Sequence, residues 1–288
     1  MRVSDQWRDY AVLDASGGEK LERWGKYTLI RPDPQIIWQT PREDPLWHKA
    51  DGHYVRSSSG GGMWEDSRLP ESWQISYRHL HFALKPMGFK HTGLFPEQAV
   101  NWEYLDHNIR AAGRPMQVLN LFAYTGGATV ACAAAGASVV HVDASKGMVT
   151  WAKENAALSG LADRPVRWLV DDCVKFVARE GRRGHRYDGI IMDPPSYGRG
   201  PGGEVWKLEE KLYELLQLCV PLLSENARFF LLNSYTTGLS PSVMAYMLSA
   251  TVGRAMAGGQ VTADELGVPV ADSGLVLPCG ACAIWERG

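Results

Sequence analysis

The pattern of apolar and polar positions changes near residue 115. From there to the end of the sequence, short apolar runs of strand length alternate with longer amphipathic segments of helical length. This alternation is typical of right-handed βαβ units, in which helices cover a parallel sheet. We therefore predict an α/β fold with a doubly wound, mostly parallel sheet of seven strands.

The same apolar runs and amphipathic segments predict the individual strands and helices. Five predicted strands cover residues 117–122, 138–142, 166–170, 187–192 and 227–233, and two closing strands lie around 275–277 and 281–285. Predicted helices cover residues 127–135 and 146–158, with others near 174–179, 207–223 and 241–252. Gly136 and Gly160 follow the first two helices, as expected for residues that end a helix.

Residues 1–90 show few helical periods and are rich in Trp, Tyr, Gly, Ser and Pro. Segments 26–31 and 35–39 are predicted strands, and the Ser- and Gly-rich segment 57–63 predicts a flexible loop. We predict a small β-rich N-terminal unit over residues 1–90 and a larger domain over 91–288. The tryptophans of the small unit are interpreted mainly as core residues, with base stacking as the alternative.

Composition and charge predict a soluble, cytoplasmic protein. The 288 residues carry a formal net charge of -2, so no global basic field favours indiscriminate binding of nucleic acid. No apolar run approaches the roughly 20 residues that span a bilayer, and the first residues do not form a signal peptide, so we expect no membrane association. The cysteines are expected to be reduced, and Cys279 and Cys282 to lie in a terminal hairpin. A structural zinc ion is held by four ligands, and Cys279 and Cys282 have no second pair of ligands in the sequence, so we predict no metal.

Residues of chemical interest follow the predicted parallel strands, because ligands of doubly wound sheets bind outside the carboxyl ends of the strands. The segment 120–127 ends in two glycines that open a helix. Its backbone can approach a ligand closely, and its N–H groups can bind a carboxylate or a phosphate. Asp143 ends the second strand, where it could accept hydrogen bonds from both ribose hydroxyls. Alternatively Asp143 caps the next helix, a role that Ser145 could fill equally well.

The next two predicted strands also end in acidic residues. Asp171 and Asp172 follow the third strand, and either carboxylate could accept a hydrogen bond from an adenine amine. Asp193 follows the fourth strand and precedes Pro194 and Pro195. The two prolines hold the backbone extended, which leaves its carbonyl groups free to bind a substrate.

Five segments together resemble the class I methyltransferases that modify bacterial large-subunit ribosomal RNA. They are 120–127, the acidic end of the second strand, 151–161, the Asp-Cys pair 172–173 and the Asp-Pro-Pro-x-aromatic segment 193–197. Segment 91–98 is similar to a family segment that folds over the cofactor, with Glu97 and Ala99 in place of the family's aspartate and arginine. The resemblance implies a Rossmann-like sheet, S-adenosylmethionine as cofactor and RNA as substrate.

The strand ends and the resemblance together imply the site residues. The implied cofactor-binding residues are Phe95, Asn120, Phe122, Ala123, Tyr124, Thr125, Gly126, Gly127, Asp143, Ala144, Ser145, Asn155, Asp171, Asp172, Cys173 and Asp193. The candidate catalytic residues are Asp193, Pro194 and Tyr197. The Asp193 side chain and the Pro194 carbonyl could accept from an amine, and Tyr197 could stack on a base taken out of its helix. Alternatively, Tyr197 packs the loop and Asp193 binds water or a backbone amide.

The residue types at the strand ends also bear on the reaction. Methylation at C5 of a pyrimidine needs a cysteine thiolate, and no cysteine follows the fourth or fifth predicted strand. A nitrogen acceptor therefore fits better, although Ser196 separates the prolines from the aromatic residue. The basic run 179–186 could hold phosphates or could be a solvated loop. Three functions compete: an RNA base methyltransferase, a methyltransferase for a small molecule or a protein, and a cofactor-binding module without turnover.

Overall fold

The structure, a computed structural model, describes residues 1–57, 61–65, 67–199, 205–236 and 238–288. The chain forms two compact units. The larger unit consists of Met1–Arg2, Asn101–Leu266 and Gly280–Gly288, and the smaller unit of Val3–Val100 and Gly267–Cys279. The predicted domain boundary near residue 90 stays a prediction.

The described part of the chain contains strands and helices in the following order. The strands are β1 (Arg2–Val3), β2 (Tyr10–Ser16), β3 (Glu19–Trp24), β4 (Tyr27–Pro32), β5 (Gly52–Arg56), β6 (Gly62–Glu65), β7 (Trp73–Tyr77), β8 (Leu80–Leu84), β9 (Gln117–Leu121), β10 (Ser138–Asp143), β11 (Val166–Val170), β12 (Gly189–Met192), β13 (Tyr197–Arg199), β14 (Val205–Lys207), β15 (Phe229–Ser234), β16 (Gln260–Pro269) and β17 (Val276–Glu286). The α-helices are α1 (Ala99–Ala111), α2 (Gly127–Ala135), α3 (Lys146–Leu158), α4 (Cys173–Arg183), α5 (Leu208–Cys219) and α6 (Pro241–Leu248). Short 3-10 helices cover Pro45–His48, Pro96–Gln98 and Val220–Leu222, and a π-helical turn covers Ser249–Gly253.

An eight-stranded sheet has the order β1-β16-β17-β15-β12-β9-β10-β11. The pairs from β15 to β11 are parallel, and β17 runs antiparallel to β15. The predicted mostly parallel α/β fold with a small β-rich N-terminal unit is confirmed. The sheet has eight strands rather than the predicted seven, because the two-residue strand β1 adds to its edge.

The order in which the chain adds strands to this sheet reverses between β9 and β12, although the two strands are parallel. From β9 the chain builds outward through β10 and β11, and it then returns to the other side of β9 for β12 and β15. In doubly wound sheets, ligands bind at such a switch point, outside the carboxyl ends of the strands. The fold therefore directs attention to the loops that follow β9 and β12.

The larger unit has an apolar core that fixes the parallel strands. Phe176 of α4, Leu212 and Leu216 of α5 and Met244 of α6 lie in one buried cluster with residues of β12 and β15. Burial of each large apolar side chain contributes about 1.5–3 kcal/mol. Gly189 on β12 is required by this packing, because an added Cβ would lie 2.3 Å from the ring of Phe229 on β15.

The smaller unit contains a five-stranded sheet of order β2-β3-β4-β5-β6 and a separate hairpin, β7-β8. Strands β2, β3 and β4 are successively antiparallel, β4 and β5 are parallel, and β5 and β6 are antiparallel. Trp24 is fully buried, and Trp47 and Trp73 are also buried. The interpretation of these three tryptophans as core residues is therefore confirmed.

Charged groups are also buried in the smaller unit. Glu22 is completely buried and accepts two hydrogen bonds from the Arg31 guanidinium, at 2.6 and 2.8 Å. Tyr10 donates a third hydrogen bond to Glu22, at 2.7 Å. Burial alone would raise the pKa of Glu22, but the attraction of Arg31 and Lys20 outweighs it and lowers the pKa to about 2.

Two local predictions for the smaller unit are corrected by the structure. The predicted strand 35–39 is not a strand, because Asp33 forms a turn in which its carbonyl accepts from the Ile36 N–H at 3.1 Å. The predicted loop 57–63 is shorter, since Gly62 and Met63 begin β6. Residues 58–60 of that segment lie outside the described residues.

Two predictions near the larger unit also differ from the structure, and one strand was not predicted. The run 179–186 is not a loop throughout, because residues up to Arg183 belong to α4, which ends at Gly184 with a φ of 71°. The two closing strands predicted around 275–277 and 281–285 are one strand, β17, which contains both Cys279 and Cys282. Its partner β16 was not predicted, because many of its positions are exposed or half-buried polar residues.

Candidate functional site

The parallel register brings four predicted site positions to one edge of the sheet. Leu121 of β9 pairs with Val142 of β10 and with Met192 of β12, and Asp143 pairs with Val170 of β11. The residues after these strands therefore lie at a common rim, which we call the carboxyl rim. It receives the loops that contain Gly126, Asp143, Asp172 and Asp193.

Backbone hydrogen bonds join the strand ends at the carboxyl rim. The Ala123 N–H donates to the Val142 carbonyl at 3.1 Å, and the Asp171 N–H donates to the Asp143 carbonyl at 3.0 Å. The Asp193 N–H lies 3.4 Å from the Leu121 carbonyl. The four loops are thus anchored to one another at their first residues.

The loop between β9 and α2 has an unusual backbone. Phe122 and Tyr124 have φ values of 54° and 49°, a conformation that costs bulky residues free energy and persists only when neighbours hold it. The Phe122 N–H contacts the Cys173 sulfur at 3.3 Å, and the Tyr124 N–H donates to Asp143 Oδ2 at 2.8 Å. These contacts fix the loop against the ends of β10 and β11.

Gly126 completes this loop and precedes α2. Its φ of 83° favours glycine, and an added Cβ would lie 2.8 Å from the Cβ of Ala152. The fully buried Asn155 of α3 donates its side-chain N–H to the Thr125 carbonyl at 2.8 Å. Within the described ranges no side chain caps α2, and this helix begins directly after the rim loop. Such a helix end can bind an anion.

Asp143 is held in place by two backbone groups. Its Oδ2 accepts from Tyr124, and its Oδ1 accepts from the Ser145 N–H at 2.8 Å. Burial raises the pKa of Asp143, although both N–H donors favour the ionised form. Ser145, not Asp143, is the N-cap of α3, because its Oγ accepts from the Met148 N–H at 3.4 Å. The remaining lone pairs of the Asp143 carboxylate suit two hydroxyl donors.

The two acidic residues after β11 have different partners. Asp171 forms an ion pair with Arg179. Asp172 is the N-cap of α4, and its Oδ1 accepts from the Lys175 N–H at 2.8 Å. Cys173 is buried, and burial raises the pKa of its thiol.

The loop after β12 is fixed by contacts from later parts of the chain. Trp206 Nε1 donates to the Pro195 carbonyl at 2.6 Å, and the Leu208 N–H donates to the Ser196 carbonyl at 3.0 Å. The hydroxyls of Ser196 and Thr236 are 2.7 Å apart. The segment from Asp193 to Ser196 is thus held on both sides, which suits a rigid acceptor of hydrogen bonds.

Tyr197 and Trp206 belong to a short antiparallel pair of strands, β13 and β14, next to this loop. The Tyr197 side chain is 52% exposed, whereas Pro194 is buried. The Trp206 ring lies 5.4 Å from the Phe122 ring, measured between centroids. Trp206 therefore contacts both the loop after β9 and the loop after β12.

The other predicted site residues have different positions. Ala144 and Ser145 are exposed at the beginning of α3. Asn120 lies inside β9, where its side-chain N–H donates to Thr129 Oγ1 at 2.9 Å, and so it supports the rim from below. Phe95 belongs to the smaller unit, where its ring lies 5.0 Å from the His91 ring.

Sequence reasoning missed two residues that shape the site. Trp206 and Thr236 hold the loop after β12, but they are 11 and 40 positions away from their partners. Local spacing carries no signal for such contacts. The basic run 179–186 was identified, but it lies at the end of α4 and in the segment before β12, toward the opposite edge of the sheet.

The donor set at the rim fits an adenosyl amino acid. The free helix end can bind a carboxylate, and Asp143 can accept from ribose hydroxyls. A sequence profile of the S-adenosylmethionine-dependent methyltransferase family matches residues 44–223. The chain belongs to this family, and S-adenosylmethionine is its cofactor, as predicted.

The chain is also similar to individual methyltransferases. The chain is 39% identical to an S-adenosylmethionine-dependent methyltransferase of known structure from Agrobacterium tumefaciens, with a TM-score of 0.91 over 98% of this chain and 91% of that chain. It is 34% identical to ribosomal RNA large subunit methyltransferase K/L of Shewanella frigidimarina over 155 residues, 53% of this chain. The enzyme of that name from Shewanella sp. strain ANA-3 is 34% identical over 161 residues. The matched region spans only 21% of each of these two relatives.

Among the residues that the structure describes, none of the helices is long and apolar enough to cross a bilayer. In the same part of the chain, no group of three or more His, Cys, Asp or Glu side chains is arranged to hold a metal ion.

Replacement of Asp143 by alanine is expected to weaken cofactor binding by about 1–3 kcal/mol, the cost of a lost hydrogen-bond partner. Isothermal titration calorimetry with S-adenosylmethionine measures the change. Asp163→Ala removes the same charge from an exposed position and serves as the control. Thermal unfolding of both variants checks that the loop after β9 remains folded. An unchanged affinity in Asp143→Ala would show that Asp143 does not hold the ribose.

Proposed function

We propose that this methyltransferase modifies a base of RNA, within large-subunit ribosomal RNA, and that the acceptor is a nitrogen atom. The observation that carries the proposal is the segment Asp193–Ser196, which is fixed through the Pro195 and Ser196 carbonyls and is followed by an exposed aromatic residue, Tyr197. Hydrogen-bond acceptors next to an exposed ring suit a flat base with an amino group. The names of the Shewanella relatives support the same substrate class.

S-adenosylmethionine supplies a methyl group that is already activated, so the protein's task is to position the acceptor. In the proposed mechanism, the Asp193 carboxylate and the Pro194 carbonyl accept hydrogen bonds from the acceptor amine. These bonds orient the nitrogen lone pair toward the rim. Tyr197 stacks on the base and holds it out of its helix. Trp206 keeps the loop rigid through the Pro195 carbonyl.

The cysteines argue against covalent chemistry at C5 of a pyrimidine. That reaction needs a thiolate that can reach the ring. All five cysteines are buried, and burial raises the pKa of the Cys173 and Cys282 thiols, in the case of Cys282 to about 12. Cys173 lies at the start of α4, and its sulfur accepts a hydrogen bond from the Phe122 N–H. These thiols are therefore poor nucleophiles at neutral pH.

The experiment follows labelled methyl groups from S-adenosylmethionine into RNA, protein and metabolite fractions of a cell extract. We expect label in RNA, and digestion of that RNA to nucleosides is expected to give a base methylated at nitrogen. Label confined to protein or metabolites would overturn the RNA assignment. Label at carbon would overturn the nitrogen assignment alone, and no label in any fraction would favour a binding module without turnover.

A further inference from the structure

A surface of the smaller unit combines positive charge with aromatic rings. It consists of Phe89, Lys90 and His91, with Lys20 and Arg56 beside them, and we call it the Lys90 surface. Phe89 is 42% exposed, which is high for a phenylalanine in a folded unit. The centroid of the His91 ring lies 6.2 Å from that of Phe89. Two flat rings therefore adjoin each other beside a lysine.

The loop that presents these rings is anchored to the five-stranded sheet. Trp64 Nε1 donates to the Met87 carbonyl at 2.9 Å, and the Tyr54 hydroxyl lies 3.2 Å from the Gly88 carbonyl. Arg31 donates to the Lys90 carbonyl at 2.9 Å. Phe89 is thus held between two anchored positions, so its exposure is a property of an ordered loop.

Among the described residues on this side of the sheet, the cations Lys20, Arg31, Arg56 and Lys90 lie near the carboxylates of Glu22, Asp33 and Glu97. The Glu22 carboxylate is occupied by Arg31, and the Lys20 ammonium lies 3.6 Å from both Glu22 and Asp33. The Lys90 ammonium lies 3.4 Å from the Pro32 carbonyl. Arg56 comes three residues after His53, which pairs with Ile30, so it ends β5 beside the same region.

The pKa values of Lys90 and His91 reflect their burial among these positive charges. Burial lowers the pKa of Lys90 to about 8; Asp33 attracts its charge, and Lys20, Arg31 and Arg56 repel it. Burial likewise lowers the pKa of His91 to about 3, with further repulsion from Arg31 and Lys90. An anion bound at Lys90 would relieve this repulsion. The His91 ring is neutral at pH 7 and can contact a base without adding charge.

We propose that the Lys90 surface binds a single-stranded segment of RNA, with a backbone phosphate on Lys90 and an unpaired base stacked on Phe89. Exposed aromatic rings next to cations are the usual features of single-strand binding, because stacking requires bases that are not paired. An acidic peptide would use the cations but would leave the flat rings without a partner. The inference rests on the proposed RNA substrate and adds a second place of contact with it.

The test measures binding of a fluorescein-labelled single-stranded RNA of mixed sequence, about 12 nucleotides long, by fluorescence anisotropy over a range of salt concentrations. Phe89→Ala is expected to weaken binding about 5- to 150-fold, the range for a lost stacking contact. Lys90→Gln is expected to weaken binding and to reduce the slope of log K against log salt by about 0.7, the value for one phosphate contact of a single strand.

Two control variants make the comparison specific. Lys26→Gln removes the same charge from an exposed position at the other end of β4, and Tyr213→Ala removes a ring that is 44% exposed on α5. Both are expected to bind the RNA as the unchanged protein does. Calorimetric affinity for S-adenosylmethionine and thermal unfolding are measured for all four variants to check that they are folded.

The outcomes separate this inference from the proposed function. If the unchanged protein methylates RNA but Phe89→Ala and Lys90→Gln bind it normally, the Lys90 surface is not a binding site and the proposed function stands. If double-stranded RNA or an acidic peptide competes as well as the single strand, the surface recognises charge alone and the inference fails. If the unchanged protein neither binds nor methylates RNA, the proposed function itself fails.

Discussion

Replacement of Glu22 by glutamine is expected to lower the free energy of unfolding by about 3–5 kcal/mol, the cost of leaving a buried charge without its partner. Glu22 is completely buried and accepts hydrogen bonds from Arg31 and Tyr10. Glutamine fills the same volume but leaves the Arg31 guanidinium without a counter-charge. Chemical denaturation monitored by tryptophan fluorescence measures the loss.

Glu71→Gln is a matched control, because Glu71 is exposed in the same unit. The pH dependence provides a second check. Since the folded pKa of Glu22 is lowered from 4.5 to about 2, its contribution to stability is complete above the unfolded pKa and is lost as the pH falls from about 4.5 to about 2. A loss below about 1 kcal/mol in Glu22→Gln would mean that the ion pair does not hold the smaller unit together.

The second large effect concerns turnover. Asp193→Ala is expected to lower kcat for RNA methylation about 100-fold, the scale for a misplaced acceptor, while the affinity for S-adenosylmethionine stays within about twofold. The carboxylate is proposed to orient the amine, so its removal affects the reacting complex more than cofactor binding. Steady-state kinetics and calorimetry on the same preparation measure the two quantities.

Asp163→Ala again serves as the charge control for this experiment. Thermal unfolding of both variants detects any damage to the fold that the substitutions cause. Normal turnover in Asp193→Ala would show that Asp193 has a structural role only. An equal loss of cofactor affinity and of turnover would instead support the other role that the sequence implies for Asp193, in cofactor binding.

Much of the larger unit could be predicted from sequence periods. The bounds of α2, α3 and β11 agree with the predicted segments to the residue, because each is a regular period that ends at a clear signal. β16 was missed because polar residues occupy many of its positions, and one of its two neighbours in the sheet, β1, lies at the other end of the sequence. Segment 35–39 has the apolar residues of a strand, but the turn at Asp33 prevents it from joining the sheet.

The candidate site could be predicted as a set of strand ends, since parallel register brings such ends together whatever the side chains are. The partners of each residue could not be predicted in this way. Asp172 caps a helix, and Asp171 pairs with Arg179. The contact between Trp206 and Pro195 depends on how the chain returns to the sheet after β12. The ligand-binding roles of these residues stay predictions.

Trp206 connects the loop beside the proposed cofactor site with the loop that is proposed to hold the RNA base. Its ring lies against Phe122, in the loop beside the ribose-binding Asp143 proposed above, and its N–H holds the Pro195 carbonyl of the acceptor loop. A displacement of either loop must therefore be shared by the other. Occupancy of one half of the rim should raise the affinity of the other half, and thermodynamic reciprocity requires both factors to be equal. Such cooperativity would favour the ternary complex over either binary one, and Trp206→Phe, which keeps the ring but removes the N–H, should diminish it.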